Sequence, residues 1–187
     1  MSPTAAERGR EVRRKLLDAA VALIAERGWS AVSTRLVAER AGVAPGLVHY
    51  HFSSVQALLS EAAVGAMREV SGLLEPALAG TPEDALSALL SALDPYTGDD
   101  PTSVLFTETY LAATRDPALR AEVAEVITEF RAGLGTWFGA HGVAAPEATA
   151  AVVGAAIDGL VLQRALDPGL TADTVAPVLT RLLRGQS

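Results

Sequence analysis

There is no cysteine among the 187 residues. That absence removes disulfide staples, thiolate metal sites and cysteine nucleophiles, and it fits a reducing compartment. Long apolar runs are missing too. Arg, Glu or Asp interrupts every candidate before it reaches the roughly 20 residues that span a bilayer, so no membrane partner is expected. The opening segment, Met1 to Arg10, is charged and has no apolar core of the signal-peptide kind, which points to a cytoplasmic protein. Catalytic signatures are also absent. No Gly-x-Ser-x-Gly elbow, His-Glu-x-x-His zinc helix or Gly-x-x-x-x-Gly-Lys phosphate loop occurs, and Gly133-Leu134-Gly135 lies inside a helical pattern rather than after a strand. His49 and His51 are two positions apart, which on a helix turns their side chains about 200° from each other and argues against a metal pair. Neither an enzyme nor a cofactor nor a metal is expected. At this length the chain buries enough apolar surface, in one domain or two sharing a core, to fold without staples.

What is there is an uneven charge. A net charge of -7 and a pI near 4.9 argue against nucleic acid when averaged over the chain. Residues 1–60, however, hold eight Lys/Arg against five acids, a balance of +3, while the remaining seven basic and seventeen acidic residues leave -10. The first third suits an anionic partner such as phosphate, with the acidic body held away from it.

Helical periodicity dominates. Val12, Leu16, Ala20, Leu23 and Ile24 recur at three- and four-residue steps, predicting an amphipathic helix over about 11–27 that Gly28 ends. Ser33 is a good N-cap for a short helix to Arg40 or Ala41, with Val37, Ala38 and Ala41 inward. Gly42-Val43 then turns the chain, and Pro45 opens a second short helix to His51 and Phe52. Ser54 caps a longer helix that stops before Pro76. Five further stretches follow, about 82–93, 102–115, 117–140, 146–166 and 171–184, with the clearest loop at Asp94 to Pro101. No strand is predicted, so the fold class is all-α.

Two short helices joined by a Gly-containing turn, after a basic amphipathic helix, form a helix-turn-helix pattern. Ala38 and Gly42 are small where the helices must approach. Val37, Val43 and Val48 suit their shared core, Phe52 suits an anchor, and His49, Tyr50 and His51 are polar groups for a major groove. Ser33 can set N–H groups and a hydroxyl against phosphate. Taken singly, the histidines read first as solvated helix residues and Tyr50 as a core aromatic whose hydroxyl reaches water. The whole motif favours DNA.

The stretch from Ser33 to Ser54, with Ala-Gly-Val followed by a short helix and His-Phe-Ser, resembles the DNA-binding signature of the TetR family of transcriptional regulators, and the helix from Leu16 to Gly28 matches as well. The resemblance covers about residues 12–60. It implies nine helices, with a DNA-binding domain over 1–53 and a ligand-binding and dimerisation domain over 54–187. It also implies phosphate or base contacts from Ser33, Thr34 and Arg35, a recognition helix opened by Pro45, Gly46 and Leu47, and contacts from His49, Tyr50 and His51. Two positions depart from the pattern: Ala44 stands where Ser or Thr usually caps the recognition helix, and Val55 where a Lys commonly reaches phosphate. The implied partners are a double-stranded DNA operator, a small-molecule effector of unnamed chemistry and a second copy of the chain. A helical interaction module that does not touch DNA is the competing reading.

In the acidic body, Val153, Ile157, Leu160 and Val161, with Val175, Val178 and Leu182, form apolar stripes. Stripes of this kind are ordinarily core, but Ile157 to Gln163 resembles the family's dimer region, which marks them as a twofold interface. Met67, Leu74, Phe106, Tyr110, Phe130 and Trp137 are candidates for a ligand cavity, with core packing an equal explanation. Glu108 is a candidate for orienting a cationic or hydroxylated ligand, an exposed helix face being its ordinary place.

Overall fold

Caps and breakers written in the sequence set most of the helix ends. The computed structural model describes residues 4–184, apart from the Leu74 side chain. Among the described residues there are nine α-helices and no strand: α1 (Ala5–Arg27), α2 (Thr34–Ala41), α3 (Pro45–His51), α4 (Val55–Leu74), α5 (Pro82–Ser91), α6 (Pro101–Ala113), α7 (Pro117–Ala140), α8 (Pro146–Gln163) and α9 (Ala172–Leu183). Five of them open on proline, whose fixed φ and missing N–H suit a first helical turn.

α1 starts earlier than the apolar period alone predicts, because Thr4 and Glu7 form a capping box. The Thr4 N–H donates to the Glu7 carboxylate at 2.6 Å, and the Glu7 N–H donates to the Thr4 hydroxyl at 3.2 Å. The Thr4 backbone N–H, then its hydroxyl, hold the Glu7 carboxyl below the ordinary range. Thr81 with Asp84 and Thr171 with Thr174 make the same reciprocal cap at α5 and α9. α8 begins differently. Its N-cap, Ala145, has φ 44° and ψ 57°, a left-handed conformation that crowds Cβ against the carbonyl and costs about 1–2 kcal/mol.

The chain forms two compact units. One reaches to Met67 and takes in Val104–Arg120; the other comprises Arg68–Ser103 and the chain from Ala121 onward. In the first, Leu16, Leu23 and Ile24 of α1, Val37 and Ala38 of α2, Val48 of α3, Phe52, and Leu58 and Leu59 of α4 are buried, and α1, α2 and α3 touch one another. Arg13 on α1 places its guanidinium carbon 4.9 Å from the Phe52 ring centroid and pairs with Glu61 at 2.5 Å. In the second, Leu86, Leu89 and Leu90 of α5, Leu134 and Phe138 of α7, Val153, Ile157 and Leu160 of α8, and Leu179 and Leu183 of α9 form one buried cluster. Within that unit Arg164 ties the loop after α5 to the end of α8, donating to the carbonyls of Leu93 at 2.6 Å and Tyr96 at 3.1 Å. No helix among the described residues is long and apolar enough to cross a membrane.

Candidate nucleic-acid interface and ligand groove

The turn between α2 and α3 is closed by backbone geometry. Gly42 has φ 65° and ψ 35°, the left-handed conformation that favours glycine, and its N–H reaches the Ala38 and Glu39 carbonyls. The Val43 N–H also donates to Ala38 O at 3.0 Å. At the start of α2 the Ser33 hydroxyl accepts from the Leu36 N–H at 3.4 Å, satisfying one of the free donors of a helix start. α3 has no such help: Ala44 makes no side-chain cap bond, and Pro45 supplies the first turn.

Burial sorts the α3 residues by face. Val48 is 1% exposed and Phe52 6%, which pins the helix inward, whereas Tyr50 is 80% exposed and Leu47 36%. Pro45, Gly46 and His49 are exposed with them, as expected for positions three and four apart on one helical face. His51 turns partly inward instead and is half-buried, with its ring edge-on to Tyr50 at 5.0 Å. Ser33 and Arg35 are exposed at the start of α2, and Thr34 is half-buried. The structure brings these residues into one first-unit segment, α2 to α3. Val43, expected in the shared core, is only half-buried.

Much of the basic charge of the first 60 residues is already paired. Arg14 bridges Glu11 at 3.0 Å and Asp18 at 3.1 Å, Lys15 reaches Glu11 at 3.6 Å, and Arg40 pairs with Glu26 at 2.5 Å. Arg35 has no ion-pair partner among the described residues. It is therefore the cation of this segment most available to phosphate.

Glu108 is engaged within the first unit. Its carboxylate accepts from the Trp29 N–H at 2.8 Å, just after α1, and the Trp29 indole donates to Gln56 at 3.1 Å. Gly28 makes room for this contact: its φ is 80°, and a Cβ there would lie 3.3 Å from the Glu108 carboxylate oxygen. The contact joins residues 79 apart in sequence, so no local pattern announces it.

The candidate ligand residues divide between the two units. Met67, buried, and Phe106, Glu108 and Tyr110, half-buried, belong to the first unit; Phe130 and Trp137 belong to the second. The Leu74 side chain lies outside the described residues. Trp137 stacks on His141 with centroids 4.0 Å apart and packs against the second unit's core. Phe130 does line a groove of about 300 Å³ between the end of α4 and the middle of α7, along with Arg68, Glu75, Glu129 and Leu134. Sequence reading missed these charged residues, which look like ordinary solvated helix positions until α4 and α7 are set side by side.

The candidate dimer residues also divide. Val153, Ile157 and Leu160 are 0%, 6% and 3% exposed because they build the chain's own core, and Val161 and Val175 are packed against it. Val153, Ile157 and Leu160 are therefore core positions of the single chain, and Val161 and Val175 are partly covered by it. Val178 and Leu182 remain open, at 51% and 46% exposure, as do Val152 and Leu162 of α8, at 50% and 53%.

Residues 16–62 match the family described as bacterial regulatory proteins, tetR family, and residues 80–185 match the tetracyclin repressor-like C-terminal domain. A Streptomyces coelicolor A3(2) protein described as a transcriptional regulator shares the fold with a TM-score of 0.80 and 30% identity, covering 94% of this chain and 99% of that one. The multidrug binding protein EbrR, solved with imidazole, gives 0.71 and 32%, covering 94% and 96%. An uncharacterized HTH-type transcriptional regulator of Mycobacterium tuberculosis is 28% identical over 134 residues, 71% of this chain and 68% of that protein. Matches to both the helix-turn-helix and the acidic body leave one conclusion: the chain belongs to the tetR family of bacterial regulatory proteins, and is a DNA-binding, ligand-responsive transcriptional regulator rather than an enzyme.

Proposed function

We propose that the chain acts as a homodimeric repressor on a pseudo-palindromic double-stranded operator, and that a small molecule in the groove beside Phe130 releases it. The observation that carries the DNA reading is the outward face of α3. Tyr50, at 80% exposure, stands beside Gly46, Leu47 and His49 on a helix whose opposite side is fixed by Val48. In this reading Tyr50 and His49 meet base edges or backbone, Pro45, Gly46 and Leu47 form the close-approach end of the helix, and His51 supports Tyr50. Ser33, Thr34 and Arg35 meet phosphate.

The second copy packs on the open stripe of α8 and α9. Positions 152, 155, 159 and 162 step by three and four residues. Val152 and Leu162 there are knobs, while Ala155 and Gly159 let helices approach closely. Val178 and Leu182 continue the apolar surface on α9. A twofold pair presents two copies of α3 to successive major grooves. Release follows if the effector prefers the state whose recognition helices are misplaced; binding without that preference shifts nothing.

Selection of binding sites from a random duplex library tests the proposal. The expected product is a pair of inverted half-sites with centres about 10 bp apart, or a multiple of that. Tyr50→Ala and Arg35→Ala weaken binding to it while sedimentation still reports a dimer, and Leu162→Asp with Val178→Asp yields monomers that bind weakly. Enrichment of no sequence, or of a lone asymmetric site, would refute it.

A further inference from the structure

The groove between α4 and α7 is short of positive charge, because its one basic residue is already balanced. On the reading that this groove takes the effector, we infer that the effector is an organic cation with an apolar body. Arg68 in the lining bridges Glu125 at 2.9 Å. Glu75 and Glu129 also line the groove, and their carboxylates make no hydrogen bond or ion pair among the described residues. A third negative influence comes from the helix itself: Ser71 and Gly72, in the last turn of α4, form part of the wall, and the carbonyl end of a helix carries partial negative charge. Phe130, half-buried, also lines the groove, and an aromatic side chain is a favourable neighbour for a cation. The apolar part of the ligand rests on Val126 and Leu134, both buried at the groove floor.

Other ligand classes fit less well. An anion meets two unpaired carboxylates and an arginine whose charge is already neutralised. A neutral apolar molecule covers those carboxylates and leaves them partly dehydrated without a counter-charge. A positive group is the strongest partner for Glu75 and Glu129, adding charge to any hydrogen bond that they accept.

Two glycines make the site testable without strain. A Cβ added at Gly72 or Gly133 meets nothing within 4 Å, and both residues line the groove. Gly133→Leu therefore occupies ligand volume while improving helix propensity in the middle of α7.

Three probes of one shape separate the classes: benzyltrimethylammonium, its uncharged all-carbon analogue neopentylbenzene, and phenylmethanesulfonate. Binding to the full-length protein is followed by calorimetry and by NMR shifts. The cation should bind saturably and at least tenfold more tightly than either of the others. Glu75→Gln and Glu129→Gln should each weaken it about two- to fivefold, and Gly133→Leu should abolish it with the helical dichroism unchanged. If the uncharged analogue or the sulfonate binds as tightly as the cation, and Gly133→Leu blocks it, the charge assignment is overturned while the groove assignment stands. Cation binding that ignores both Gly133→Leu and the two Glu→Gln changes overturns the groove assignment and this inference together. Failure of the cation to bind at millimolar concentration also overturns the inference.

Discussion

Replacing Glu108 with Ala should destabilise the protein through a residue far away in sequence. The Glu108 carboxylate accepts the Trp29 N–H at 2.8 Å, and Trp29 is 8% exposed. Deleting the acceptor removes a charge-assisted bond and leaves a backbone donor without its partner, a loss of about 1.5–3 kcal/mol. In a chain of this size each kcal/mol moves the melting temperature about 2–4 °C, so a fall of roughly 3–12 °C is expected. Glu108→Gln keeps an acceptor oxygen without the charge and should cost less than half as much. Gly28→Ala is the complementary change. It places a Cβ 3.3 Å from the same carboxylate oxygen at a φ of 80°, combining backbone strain with a clash that Glu108→Ala relieves, so the two substitutions should couple in a double-mutant cycle. Thermal and urea melts of these variants, with exposed Glu122→Ala as control, measure all of this. The reasoning is refuted if Glu108→Ala melts with the control, or if the Gly28 and Glu108 effects simply add.

Three further outcomes follow from single residues. Val55→Lys restores a cation at the start of α4 and should steepen the dependence of log affinity on log salt by about 0.9, measured by anisotropy over a salt series. Ala145→Gly relieves the left-handed N-cap of α8 and should raise stability by about 0.5–1 kcal/mol in denaturant melts, since glycine's own entropy cost offsets part of the gain. Asp100 should make stability acid-sensitive. Burial pushes its carboxyl up, but the Ser103 hydroxyl and the backbone N–H groups of Ser103, Thr97 and Thr102 outweigh this and hold it below the ordinary carboxyl range. A group lowered in the folded state contributes its stability above the unfolded value and loses it as pH falls through the folded one. Urea melts from pH 5 to about pH 3 should therefore decline less for Asp100→Asn than for the natural protein.

The parts legible in the sequence were those set by local chemistry. Gly42, Pro45, Ser33 and Ser54 placed the two short helices and the start of α4 because each residue has one conformational or capping use, and Ala44 was readable as a missing cap that the structure bears out. The same logic, applied to Thr4 and Glu7, would have placed the start of α1. What stayed hidden depends on what lies opposite. Val153, Ile157 and Leu160 carry a buried-helix period, but that period does not say whether the covering surface is the chain's own or a second copy's; here α5, α7 and α9 join them in one cluster. The α3 face was legible in outline, yet the inward turn of His51 was not, because two histidines two positions apart look alike until Phe52 fixes which side is buried. Glu108 and the groove acids needed tertiary neighbours that no window of sequence contains.

The most direct measurement is anisotropy of a labelled duplex carrying the selected operator, titrated with the protein and with His49→Ala/Tyr50→Ala against a scrambled duplex at fixed salt. Saturation at one or two dimers per site is expected, with an affinity at least a thousandfold above the scrambled duplex. In the double variant that margin collapses while sedimentation still reports dimers. Equal affinity for both duplexes, or a double variant that binds as the natural protein does, would contradict the assignment of α3 as the helix that reads DNA.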